Sequence, residues 1–292
     1  MLASVLRGVL RATLKSRNKA GRPVADQRRW LDAVTKVALV PRAASFESAS
    51  VGGVAGEWVS GNSAGSTVQT ILYLHGGAYC IGSPATHRAL TGNLALRCSA
   101  RVFAADYRLA PENPFPAAVE DGVAAYEGLL SAGCPPDGLA IAGDSAGGGL
   151  SVATAVRLRE RGLPLPSKLV VFSPWADLSL AGLGPAPPGE VMLNRDWLEE
   201  CARFYYQNAD CQNPLVSPVY ADLRGLPPTL IQVGADELIL SDSERLAEGI
   251  NGAGGVARLS VFPRRWHVFQ LHAGVLADSD RALDQVAAFL RT

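Results

Sequence analysis

The chain has no excess of charge of either sign. Lys and Arg number 27 and Asp and Glu number 27 in 292 residues. That balance argues against nucleic acid as the main partner, because a phosphate backbone selects a basic surface. No run is long and apolar enough to span a bilayer. The five cysteines, Cys80, Cys98, Cys134, Cys201 and Cys211, form no C-x-x-C, and their count is odd. This pattern fits reduced, mostly buried thiols in a cytoplasmic protein better than a disulfide framework. The four histidines lack metal-ligand spacing: His267 and His272 do not share a helical face, and there is no H-E-x-x-H. No metal is expected. The N-terminus also lacks a signal-peptide core, since Arg7, Arg11, Lys15, Arg17 and Lys19 interrupt its apolar residues. Leu2, Val5, Leu6, Val9 and Leu10 recur at helical spacing. This predicts a packed amphipathic helix in preference to one lying on a membrane surface.

What the chain does have is a pentapeptide, Gly143-Asp144-Ser145-Ala146-Gly147. It follows the strand-like Leu139-Ala140-Ile141-Ala142 and precedes a helix-like run from Gly148 to Val156. Strand, G-x-S-x-G, helix is the context that turns a serine into a nucleophile. The turn must be tight, so small residues flank the serine, and the helix start supplies free backbone N–H groups. Upstream, the run Val68 to Leu74 ends in His75-Gly76-Gly77-Ala78. A glycine pair after a strand lets backbone N–H groups face a cleft, where acyl transfer needs donors for a developing oxyanion.

These two motifs, with Asp106-Tyr107-Arg108-Leu109-Ala110-Pro111-Glu112 between them, closely resemble the hormone-sensitive lipase-like esterases (bacterial family IV) of the α/β-hydrolase fold. The resemblance runs from about Val68 to the C-terminus. It implies oxyanion donors at the amides of Gly76, Gly77 and Ala146, and a bracing role for Asp106 and Tyr107. Ala78 stands where the family has a third glycine, which removes no donor on this reading and narrows the pocket by a methyl group.

The coarse organisation agrees. Two helical segments precede residue 45, the second around Val24 to Val40. Ser45 to Ser60, with Gly52-Gly53, predicts a hairpin. Six strand candidates then alternate with five helical stretches, which predicts an α/β fold with a mostly parallel eight-stranded sheet flanked by helices. The stretch Leu178 to Arg224 breaks the alternation with a Gly/Pro-rich start and a helix carrying Trp197, Leu198, Cys201, Phe204 and Tyr205. In the family such an insertion joins the N-terminal helices as a cap. The expected division is 1–45 as N-terminal cap helices, 46–177 and 225–292 as the catalytic domain, and 178–224 as the inserted cap segment.

A nucleophilic serine needs a base, and the base needs an acidic orienter, in the chain order Ser, acid, His. Only His267 and His272 follow Ser145. His267 is preferred because His267-Val268-Phe269 resembles the family's final motif. His75 and His87 are read as structural. For the acid, Asp236 sits just past a strand end and opens a segment resembling the family's acid motif, with Glu237 and Asp242 as competitors. Tyr79, Trp175, Trp197 and Phe204 are candidates for lining the substrate pocket, and each suits core packing equally well. The resulting expectation is a serine carboxylesterase for small, short-acyl esters, working without a cofactor. An amidase or deacetylase on the same residues is the alternative, and a small-molecule receptor ranks below it. A homodimer stays open, because family members often pair through the sheet edge.

Overall fold

The apolar runs of the sequence become the centre of a single sheet. In the computed structural model, which describes residues 2–61 and 69–292, α1 (Leu2–Leu10) continues into a π-helical turn over Arg11–Lys15, and α2 (Val24–Thr35) follows. The strands are β1 (Ala44–Val51), β2 (Val54–Gly61), β3 (Thr70–Leu74), β4 (Arg101–Ala105), β5 (Leu139–Asp144), β6 (Lys168–Phe172), β7 (Thr229–Gly234) and β8 (Ala257–Phe262). Val68, expected to open β3, lies outside the described residues. The strand order is β1-β2-β4-β3-β5-β6-β7-β8. β1 and β2 form the expected hairpin, with Val51 opposite Val54 and both intervening glycines at positive φ (60° and 79°). A two-residue loop needs that conformation to match the twist of its strands. β2 is antiparallel to β4, and β3 to β8 run parallel.

The helices α3 (Arg88–Cys98), α4 (Ala117–Ser131), α5 (Ala146–Glu160), α6 (Arg195–Tyr206), α7 (Leu240–Gly252) and α8 (Ala277–Leu290) complete the chain. Side chains alternate across a strand, and β3 feeds two cores accordingly. Leu72 and Leu74 face α4, α5 and α7, whereas Ile71 and Tyr73 face α3 and α8. Both faces of β3 and β5 are therefore buried, as their unbroken apolar sequences require. A third, smaller core (Leu10, Val191, Phe262, Trp266, Phe269) joins α1 to the loop after β8.

The N-terminal segment and the 178–224 stretch are tied together. Asn18 donates to Met192 O (2.9 Å), and Asn194 donates to Lys15 O (2.9 Å) and Asn18 O (2.6 Å). The Trp197 indole N–H donates to Gln27 (2.8 Å). The helix carrying Trp197 is α6, inside the inserted stretch.

The close approach that fixes the centre of the sheet is at Gly147, in the first turn of α5. A Cβ there would sit 2.0 Å from the Leu74 carbonyl oxygen and 2.4 Å from that of His75. Gly147→Ala is expected to cost on the order of 2 kcal/mol or more, because neither contact is a flexible side chain. Calorimetry should show a melting midpoint several degrees lower. An unchanged midpoint would mean that β3 and α5 are not locked at this spacing.

Candidate active site

Ser145 sits between β5 and α5 with φ 53° and ψ −121°. A non-glycine residue in this region costs about 1–3 kcal/mol and persists only where its surroundings over-determine it. Here they do. The Ser145 N–H donates to Phe172 O (2.8 Å), and its carbonyl accepts from Gly148 (3.0 Å), Gly149 (3.1 Å) and Trp175 (2.8 Å). The hydroxyl is thereby presented past the end of β5, with Ser145 Oγ 2.8 Å from His267 Nε2. His267 Nδ1 lies 2.8 Å from Glu237 Oε2. A carboxylate can only accept, so in the neutral ring Nδ1 carries the proton and Nε2 is left to accept from the serine.

The acid at this position is Glu237, and the expectation for Asp236 is corrected. Glu237 is buried, and its other oxygen accepts from Ser173 Oγ (2.7 Å) and the Gly234 N–H (2.5 Å). Asp236 is turned away from the imidazole. Its carboxylate meets Arg7 of α1 at 2.7 Å and is a quarter exposed. The two residues are neighbours past the end of β7, and the turn sends their side chains in opposite directions. Asp242, the other competitor, lies in the first turn of α7. Its buried carboxylate caps the Ala176 and Asp177 amides (2.9 Å each), and burial pushes its pKa up to about 7. His272 packs against Trp266, and burial pushes it down to about 4.

The oxyanion donors also differ from expectation at one place. The Gly76 N–H is already used, donating to Asp144 Oδ1 at 3.0 Å. The amides of Gly77, Ala78 and Ala146 donate to no acceptor among the described residues. Gly77 at φ 123° and Ala78 at φ 53° turn the loop, and both residues line the same cleft as Ser145. Ala78, read from sequence as a bystander methyl, offers a free amide where Gly76 does not.

Residues 71–271 match the model of a family described as having the alpha/beta hydrolase fold. An acetyl-hydrolase of Streptomyces hygroscopicus is 44% identical over 244 residues, 83% of this chain and 81% of that protein. An esterase of Acinetobacter venetianus is 36% identical over 241 residues, covering 81% of this chain and 78% of its own. The crystal structure of an esterase from the bacterial hormone-sensitive lipase family superposes with TM-score 0.92 at 39% identity, covering 99% of this chain and 97% of that one. The chain belongs to the hormone-sensitive lipase-like esterases of the α/β-hydrolase fold.

In this esterase the residue before the serine ties the serine turn to the glycine loop. The Asp144 carboxylate, fully enclosed, accepts from Gly76 and from the Tyr73 hydroxyl (2.5 Å), and His87 Nε2 lies 3.4 Å away. Burial alone would raise the Asp144 carboxyl, but the charge and hydrogen bond of His87, with the Tyr73 hydroxyl, hold it below its ordinary value. Reciprocally, burial would lower His87, and Asp144 holds it above 6.5. Sequence reading treated His87 as structural and gave Asp144 no role. No spacing rule links residues 76, 87 and 144. Tyr107 braces the loop as the resemblance implied: it stacks on His75 (4.4 Å), and its hydroxyl donates to His75 O (2.7 Å). Asp106 is exposed and takes no part. Burial, then the charge of His87, pushes His75 down to about 3.

Over Ser145 opens a cleft walled by Leu14, Trp30 and Leu31 of the N-terminal segment and by Met192, Leu193 and Trp197 of the insertion. Of the four aromatic candidates only Trp197 lines it. Tyr79 and Trp175 are fully buried, with Tyr79 stacked on Tyr205 (3.8 Å), and Phe204 packs half-buried against the main core. Their rings fill space between the glycine loop and α6, which leaves none of them a face on the cleft. Trp30 escaped sequence reading because α2 carries few apolar residues to mark its inner face.

Two substitutions separate the neighbouring acids. Glu237→Gln keeps the shape and removes the charge that stabilises an imidazolium, so kcat should fall by about 10³ to 10⁴. Asp236→Asn breaks only a partly exposed ion pair, worth roughly 0–1 kcal/mol, and should change kcat by less than about threefold. Steady-state kinetics on a p-nitrophenyl ester decides between them. A larger loss for Asp236→Asn would reverse the assignment.

Proposed function

We propose that the chain is a serine carboxylesterase acting on small, short-acyl esters through an acyl-enzyme. The observation that carries this reading is the unbroken run Ser145 Oγ, His267, Glu237, with 2.8 Å at each contact, beside three unoccupied backbone donors. His267 takes the proton from Ser145 as Oγ attacks the ester carbonyl, and the amides of Gly77, Ala78 and Ala146 hold the oxyanion. His267 returns the proton to the leaving alcohol, then activates water to release the acid. Glu237 fixes the imidazole tautomer and stabilises its charged form. A receptor would have no use for this relay, and the cleft walls offer an acyl chain mostly apolar contact.

Residues 1–45 and 178–224 serve as the cap. Their hydrogen bonds to one another and their joint lining of the cleft support this division. A short acyl scale is supported by one related crystal structure, 37% identical with TM-score 0.91, of a protein soaked with p-nitrophenyl butyrate. The five free cysteines support residence in a reducing compartment such as the cytoplasm. No helix among the described residues is long and apolar enough to cross a membrane. β8 is an edge strand with Val261 exposed, the place where a second copy would pair.

Ester turnover should depend on pH with a sign set by Glu237. Burial works to lower His267, but the hydrogen bond and charge of Glu237 outweigh it and hold its pKa above 6.5. The base must be neutral, so kcat/KM should fall as pH drops through a value above 6.5. In Glu237→Gln the burial remains and the charge is gone, so this acid limb should move to lower pH. A limb that stays in place would show that Glu237 does not act on His267.

Cleft size should set chain length. Trp30→Ala enlarges the acyl wall, and Leu31→Trp fills it. A methylene in an apolar pocket is worth roughly 1–3 kcal/mol, so the octanoate-to-acetate ratio of kcat/KM should rise at least tenfold in the first and fall at least tenfold in the second. Equal ratios would remove the N-terminal helices from the acyl site. Running the matched amide beside each ester tests the amidase alternative, which requires comparable turnover of the two.

A further inference from the structure

The exposed apolar surface of this molecule is gathered at one end of the chain. Among the described residues eight large apolar side chains are exposed, and six of them precede the sheet: Leu2, Val5, Val9, Val37, Leu39 and Val40. α1 already buries one apolar face, since Leu10 and the partly buried Leu6 pack on the core with Phe262 and Trp266. Leu2, Val5 and Val9, spaced i, i+3, i+7, form a second stripe that is 51–61% exposed. A helix serving only as a cap needs one apolar face.

Charge is gathered there too. Residues 1–43 hold ten Lys or Arg against two Asp or Glu, and the remaining chain holds 17 against 25. A molecule with no net charge is thus divided into a segment of +8 and a body of −8. Lys19, Arg22, Lys36 and Arg42 are exposed and in no ion pair among the described residues. The same segment supplies Leu14, Trp30, Leu31 and Thr35 to the cleft, so these basic and apolar residues belong to the segment that walls the active site.

A second copy does not suit the face, because a symmetric pairing would bring two +8 segments together. A surface with anionic head groups over an apolar interior suits both features. We propose that the N-terminal segment docks the enzyme on an anionic lipid surface. The outer stripe of α1 and residues 37–40 enter the acyl boundary, and the free Lys and Arg meet the head groups. The cleft is thereby held close to an interface where amphiphilic esters collect.

The test is co-sedimentation of the full chain with vesicles of ether-linked lipids, which an esterase cannot consume. Vesicles of phosphatidylcholine alone are compared with vesicles containing ~30 mol% phosphatidylglycerol. Binding to the anionic vesicles should be at least tenfold tighter and should weaken as salt rises from ~0.05 to ~0.5 M. Val5→Asp with Val9→Asp, and separately Lys19→Glu with Arg22→Glu, should each lose at least tenfold in vesicle affinity. Turnover of a soluble p-nitrophenyl ester should be unchanged in both, which also reports that they fold. No binding to anionic vesicles overturns the proposal, as does equal binding by either variant. So does a wild-type dimer in analytical ultracentrifugation that Val5→Asp with Val9→Asp dissolves, since the stripe would then belong to a second copy. The vesicle readout needs no turnover, so its failure leaves the ester reading untouched.

Discussion

A serine held at φ 53° and ψ −121° is the constraint on which the site depends. That conformation is unfavourable for any side chain, and the surrounding backbone enforces it. Phe172 receives the serine N–H, Trp175 and the first turn of α5 take its carbonyl, and Gly147 lets the turn sit against the end of β3. Because the serine turn is pressed against β3, the loop that follows β3 is brought beside the hydroxyl. Asp144 then fixes that proximity through the Gly76 N–H. Nucleophile and oxyanion loop are thus one mechanical unit, with the strain at Ser145 offset by backbone hydrogen bonds and by a buried network through Tyr73 and His87.

The relay is built from three strand ends. Ser145 follows β5, Glu237 follows β7 and His267 follows β8, all at the carboxyl edge where parallel sheets gather ligand sites. Glu237 is locked by Ser173 and Gly234, and Ser173 also receives the Val268 N–H (3.1 Å), so acid and base share a support. Glu190 of the insertion reaches the same turn. Its buried carboxylate accepts from Met192 (2.7 Å), Leu193 (2.9 Å) and Leu238 (2.8 Å), joining the cleft wall to the residue after the acid.

Much of this was legible in the chain. The strands β4, β6 and β8 fall where apolar runs between turn residues place them, and the Gly52-Gly53 hairpin follows from loop chemistry. Ser145 and His267 come together as motif and chain order require. Two things were not legible, for one physical reason. Whether Asp236 or Glu237 faces the imidazole, and whether Gly76 or Ala78 offers a free amide, depends on the direction of a single residue in a tight turn. Neither periodicity nor composition encodes that direction. The partners that settle both cases, Arg7 for Asp236 and Asp144 for Gly76, lie 229 and 68 residues away. The aromatic candidates failed differently: Tyr79 and Trp175 have the right chemistry for a pocket, and packing against Tyr205 and the core consumed them.

The central claim is that Ser145 is a nucleophile activated by His267 in an assembled site, and covalent labelling tests it most directly. The enzyme would be treated with a fluorophosphonate and digested, and the adduct located by mass spectrometry. The account predicts one adduct per chain, on Ser145, formed at a rate that falls with the protonation of His267. A folded protein that takes no label, or takes it on another residue, would contradict the account.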